Sequence, residues 1–116
     1  MRIIYHVTAK SEWEKAKRSG IYDRSTLGKS FDEVGFIHAS TKDQFQDVAK
    51  FVYGDMDIEL VVLELDIEIL ESSGIKVIFE DGGNGQMFPH IYSKIPTDLI
   101  IAVHAVEFED SILRMK

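Results

Sequence analysis

The sequence predicts an α+β domain in which helices pack on a mostly antiparallel sheet. Three observations carry this reading. The first half runs strand, helix, strand, helix, the second half continues as several strands, and no Pro/Gly-rich linker or internal repeat divides residues 1–116. At 116 residues the chain has the size of one ordinary domain.

Ile3 to Val7 is a short β-branched run and forms the first strand. Ser11-Glu12-Trp13-Glu14 matches a capping box, and the helix it opens runs to Ser19, with Gly20 as its left-handed stop. Residues 21–33 are polar, contain Gly28 and show no clear period, so they are predicted as a loop. Gly35 to Ala39 is a second strand. Ser40 or Thr41 then caps a helix with Phe45, Val48, Ala49 and Val52 at spacings of three, four and seven, closed by Gly54. Trp13, Phe45 and Phe51 are read as core. Leu60 to Leu65 is the most apolar strand, and Lys76 to Phe79 follows the Gly74 turn. Asp81-Gly82-Gly83-Asn84-Gly85-Gln86 is the clearest loop, and Leu99 to Phe108 closes the chain as a strand.

Composition bounds the chemistry. The chain is 45% hydrophobic and 28% charged, which is globular rather than disordered. It has no cysteine, which removes disulfides, a zinc ribbon and a thiol nucleophile together. A net charge of −7 opposes sequence-independent binding to duplex DNA or anionic lipid. No signal-peptide pattern opens the chain and no run approaches the ~20 apolar residues of a membrane helix, so a cytoplasmic location without membrane contact is expected.

Three of the four histidines stand two residues before a hydroxyl: His6 and Thr8, His38 and Ser40, His90 and Tyr92. Residues i and i+2 of a strand share a face, so each pair presents an imidazole beside a hydroxyl, a set suited to a sugar or phosphate. A lone strand histidine is ordinarily satisfied by a backbone carbonyl, but three in matching contexts point to a site. His104 lacks the hydroxyl and is read as structural. Glu80 ends a strand directly before the glycine loop, where side chains commonly face a cleft, and is a candidate general base or partner for a cationic intermediate. Arg24 with Ser25 and Thr26 could hold a phosphate through guanidinium and hydroxyl donors. The glycine loop is no P-loop, because no GK[ST] follows.

The strings IYHVT, GFIHAS, VLELD, and FED followed by glycines and FPHIY resemble domain-of-unknown-function family 952 over nearly the whole chain. That family in turn resembles the ADP-ribosyltransferase fold, close in layout to the RNA 2′-phosphotransferases. The resemblance implies that His6, with Val7 and Thr8, sits on a ribose hydroxyl of NAD, and that His38-Ala39-Ser40 forms a second site segment. It also implies a late acidic residue. The matching segment here reads Pro89-His90-Ile91-Tyr92, and Glu80 is the carboxylate that could replace it.

The leading expectation is therefore an ADP-ribosyltransferase-like domain that binds NAD or another small phosphate-bearing nucleotide. His6, His38, Glu80 and His90 are its catalytic candidates, with Thr8, Arg24, Ser25, Ser40 and Tyr92 as ligand contacts. No metal is expected. The alternatives are a metal-assisted hydrolase built on the three histidines and Glu80, and a non-catalytic module for small anions.

Overall fold

A computed structural model describes residues 2–83, 85–110 and 112–116. Its elements are β1 (Ile3–Ala9), α1 (Lys10–Ser19), β2 (Ile21–Tyr22), β3 (Arg24–Thr26), β4 (Lys29–Ser30), α2 (Phe31–Val34), β5 (Ile37–His38), α3 (Phe45–Tyr53) and β6 (Leu60–Asp66). Then come α4 (Ile67–Ser72), β7 (Val77–Asp81), β8 (Met87–Ile91), β9 (Ile95–Pro96), a 3₁₀ turn at Thr97–Leu99, β10 (Ala102–Glu109) and β11 (Ile112–Met115). The class is α+β, with every strand pair antiparallel.

Two sheets organise the molecule. One has the order β1-β6-β10-β11 and the other β5-β8-β7, while β2-β9 and β3-β4 are small pairs. The segment 37–40 joins the two sheets. Ile37 and His38 pair with Ile91 and His90 of β8, and Ser40 then exchanges both backbone hydrogen bonds with Tyr5 of β1, at 2.7 and 2.8 Å. Period-two alternation along β1 divides its side chains between two cores. Ile4 joins Leu63, Leu65, Ile37 and Ile91 under Trp13 of α1 and Leu70 of α4. Val7 joins Val62, Val106 and Leu113 under Ala49 and Tyr53 of α3.

The structure departs from the sequence reading at several places. The capping box expected at Ser11 and Glu14 does not form. β1 runs directly into α1 through Ala9, the Lys10 amide donates to the Glu59 carbonyl, and Glu14 pairs with Lys17 instead. Gly20 does take the left-handed stop, with φ 85° and its amide on the Ala16 carbonyl. The stretch 21–33 is not a plain loop, since it holds three short strands and the start of α2. That helix is opened by a true capping box in which Ser30 accepts from the Glu33 amide and Glu33 accepts from the Ser30 amide.

Ser40 and Thr41 do not cap α3, because Ser40 is spent on Tyr5 and the helix starts only at Phe45. Phe51 is 91% exposed and not core. The helix α4 was hidden in the apolar run after β6, where Asp66 accepts from the Glu68 amide and turns a strand-like sequence into a helix. The final strand expected over 99–108 is a 3₁₀ turn followed by the β10-β11 hairpin. The glycine turn lies where expected, tied by Asp81 accepting from the Gly83 and Gly85 amides, while Asn84 lies outside the described residues. No helix among the described residues is long and apolar enough to cross a membrane.

Candidate functional site

A cleft of about 770 Å³ opens where the two sheets meet, within the range of small-molecule sites. Its walls are Tyr5 to Val7 of β1, His38 to Ser40 of the crossing segment, one side of α3, Gly82, Gly83 and Gln86, Ser25 and Thr26, and Phe88 and His90 of β8. All three histidines singled out from the sequence line it. No lysine or arginine does, and Asp47 is the one formal charge in its wall among the described residues.

His6 is the most deeply placed. Its Nδ1 donates to the His38 carbonyl, and its Nε2 lies 2.6 Å from the Tyr22 hydroxyl. A carbonyl can only accept, so Nδ1 carries the proton and Nε2 accepts from Tyr22. The Thr8 hydroxyl meets both the Tyr22 and the Tyr53 phenol and pulls each pKa down against the larger effect of burial. Tyr53, Thr8, Tyr22, His6 and the His38 carbonyl thus form a buried polar chain in which Tyr22 donates to His6 and His6 to the His38 carbonyl. Burial pushes the His6 pKa down to about 4, against a smaller upward pull from the His38 carbonyl bond. Burial also raises Tyr53 to about 12 and Tyr22 further, so the chain is neutral at pH 7.

Both ring nitrogens of His6 are engaged within the chain, on the His38 carbonyl and the Tyr22 hydroxyl. Thr8 is buried beside it.

His38 and His90 form the open part of the site. They are cross-strand partners with ring centroids 5.2 Å apart in an edge-to-face arrangement. Phe36, two residues before His38, stacks on His90 at 4.0 Å and meets His38 edge-on at 4.8 Å. Burial and the neighbouring His90 lower the His38 pKa. On the far side of His90, Nδ1 lies 2.9 Å from Glu80 Oε1, which also accepts from the Tyr92 hydroxyl. Those two bonds hold the Glu80 carboxyl below its ordinary range and raise Tyr92. Glu80 and Tyr92 therefore stand behind His90 and are not part of the cleft wall.

The other candidates divide. Ser40 lines the cleft; Ser25 lines it as well but donates its hydroxyl to the Phe36 carbonyl. Arg24 turns away, with Nε 2.9 Å from Glu12 Oε2 in an ion pair whose angle is not that of a hydrogen bond. It does not reach the cleft as a phosphate donor. His104 pairs with Glu64 across β6 and β10 at 3.0 Å. Sequence reasoning missed Phe36, Tyr22, Tyr53 and Gln44. Phe36 was legible, because it stands at i−2 from His38 and so shares its face. The tyrosines, contributed by β2 and the end of α3, had no local signal. Among the described residues no group of three or more His, Cys, Asp or Glu side chains is arranged to hold a metal ion.

Comparison with known proteins agrees on the family. No curated protein matches the chain. Among solved structures, the crystal structure of protein CC0527 from Caulobacter crescentus is similar, at 25% identity and a TM-score of 0.79, covering 97% of this chain and 93% of that one. The solution NMR structure of CC0527 aligns at 26% identity and a TM-score of 0.74, covering 97% and 91%. The model of the family described as "Protein of unknown function (DUF952)" matches residues 7–103, and the chain belongs to that family.

Proposed function

We propose that the cleft binds the nicotinamide–ribose end of NAD or a closely related nucleotide, in an ADP-ribosyltransferase-like manner. The observation that carries this reading is the edge formed by His38, Ser40 and His90. It sets two imidazoles and a hydroxyl side by side in an apolar cleft of mononucleotide size. Such a set suits ribose, whose hydroxyls both donate and accept. Among the described residues the wall carries no lysine or arginine, so it favours the neutral or cationic end of the dinucleotide and leaves the phosphates to solvent. The same lack gives the small-anion alternative no support.

Transfer breaks the bond between the ribose carbon and the nicotinamide nitrogen, and the electron pair leaves with neutral nicotinamide. Positive charge then develops on the ribose, and negative potential from Asp47, and from Glu80 through His90, stabilises it. His6 acts one step back, by fixing the peptide that carries His38. Calorimetric titration of NAD and of ADP-ribose tests the reading. Binding of NAD is expected, weakened about tenfold in His38→Ala, as the loss of one hydrogen bond to a ligand implies. If neither compound binds at millimolar concentration, the reading is wrong.

A further inference from the structure

The bond network around His90 defines more than a binding surface. A carboxylate accepts and cannot donate, so the proton between His90 and Glu80 belongs to Nδ1. The Tyr92 hydroxyl, donating to the same Oε1, fixes that oxygen in place. Neutral His90 is thereby held in one tautomer, with the lone pair on Nε2. That atom has no hydrogen-bond partner among the described residues, and it is not a sealed buried atom. Phe36 stacks on the ring and restrains its rotation, while His90 as a residue is only 5% exposed. A histidine with one nitrogen on a carboxylate, the other bare, and its ring clamped has the arrangement of a general base.

We propose that His90 is the proton acceptor for a hydroxyl nucleophile, either an alcohol or water, that attacks the ribose carbon in this cleft, with Glu80 and Tyr92 as positioning residues. The proposal rests on the nucleotide reading for the identity of the electrophile. In the step, the nucleophile oxygen bonds to the ribose carbon as the bond to nicotinamide breaks. The nicotinamide nitrogen keeps the electron pair, and the hydroxyl proton moves to His90 Nε2 and later to solvent. A hydroxyl is the fitting class because its proton becomes acidic only as attack proceeds, which a neutral imidazole can match. An ammonium would have to lose its proton before attacking. The titratable groups that face His90 are Glu80 from β7, Tyr92 from its own chain segment and His38 from β5.

Two measurements separate this proposal from the binding reading. The first needs no nucleotide: nitrogen NMR of the imidazoles, with mass-spectrometric mapping of diethyl pyrocarbonate modification against pH. Wild type is expected to show His90 protonated on Nδ1 and carbethoxylated on Nε2. In Glu80→Leu the tautomer preference should relax and carbethoxylation should spread to Nδ1. A His90 protonated on Nε2, or inert to the reagent while His38 reacts, overturns the proposal whether or not NAD binds. The second measurement is nicotinamide release from NAD in water, beside calorimetric NAD binding. His90→Gln is expected to lose at least a hundredfold in rate while affinity falls no more than the tenfold that one lost ligand hydrogen bond implies, and Tyr92→Phe, which lies outside the cleft wall, about tenfold in rate with affinity changed less than threefold. Unchanged release in a His90→Gln that still binds NAD also overturns it. Failure of wild type to bind NAD overturns only the choice of electrophile, and the NMR and modification results then decide the base.

Discussion

Replacing His6 by alanine tests whether this residue serves the fold or a ligand, and the structure gives a magnitude for it. The imidazole makes two hydrogen bonds inside the protein, and His6 is 4% exposed. Its removal leaves the Tyr22 hydroxyl and the His38 carbonyl without their partner. An unsatisfied buried polar group costs about 1–3 kcal/mol, so the two together should cost roughly 2–6 kcal/mol at pH 7. That is a large part of the ~5–15 kcal/mol that holds a domain folded. With m near 2 kcal/mol per molar urea, the midpoint should fall by about 2 M. Trp13, the only tryptophan and 9% exposed in the core, reports the transition by fluorescence.

A pH series sharpens the test. The folded His6 pKa, about 4, lies below its ordinary 6.5. Between these values the unfolded chain binds the proton and the folded one does not, so wild-type stability is full above pH 6.5 and falls as the solution is acidified toward pH 4. The gap corresponds to roughly 3 kcal/mol at ~1.4 kcal/mol per pKa unit. His6→Ala lacks this dependence, so the difference between the two proteins should narrow as pH falls. A difference that stays constant from pH 7 to pH 4.5 would refute the neutral, internally bonded His6. An unchanged urea midpoint with a hundredfold loss of NAD affinity would return His6 to the ribose.

Two further outcomes follow from the fold. Gly20→Ala should lose about 1 kcal/mol in urea melts, because Gly20 sits at φ 85° where a Cβ is strained, although the space around it is open; no loss would contradict the left-handed stop. Phe51→Ser should change stability by less than ~0.5 kcal/mol, since the ring is almost wholly exposed, and a cost above 2 kcal/mol would restore it to the core.

The parts of the fold legible in the sequence were those governed by periodicity and by glycine. The apolar stripe of α3, the apolar run of β6 and the stop at Gly20 all rest on local geometry. What escaped was decided by competition for backbone groups. Ser11 had the residues of a cap, but the Lys10 amide had already found the Glu59 carbonyl; Ser30 had the same pattern in a stretch too polar to show a period. The His-x-hydroxyl pattern was read as three equivalent pairs. The structure makes them different because each meets different neighbours: His6 and Thr8 lie in a buried chain, His38 and Ser40 in the wall, and His90 and Tyr92 share a carboxylate. Partners such as Tyr22 and Glu80 come from other strands, and spacing along the chain carries no information about them.

The segment 37–40 is a seam as well as a wall. Its backbone is stitched to β8 on one side and β1 on the other, and the His6 side chain adds a third stitch at the His38 carbonyl. Prying the two sheets apart would therefore break backbone bonds and a side-chain bond in the same four residues. Molecules seated against this seam would be gripped by the part of the protein least able to yield. The facing wall is one side of α3, and changes there could lengthen or shorten residence without altering what the seam recognises.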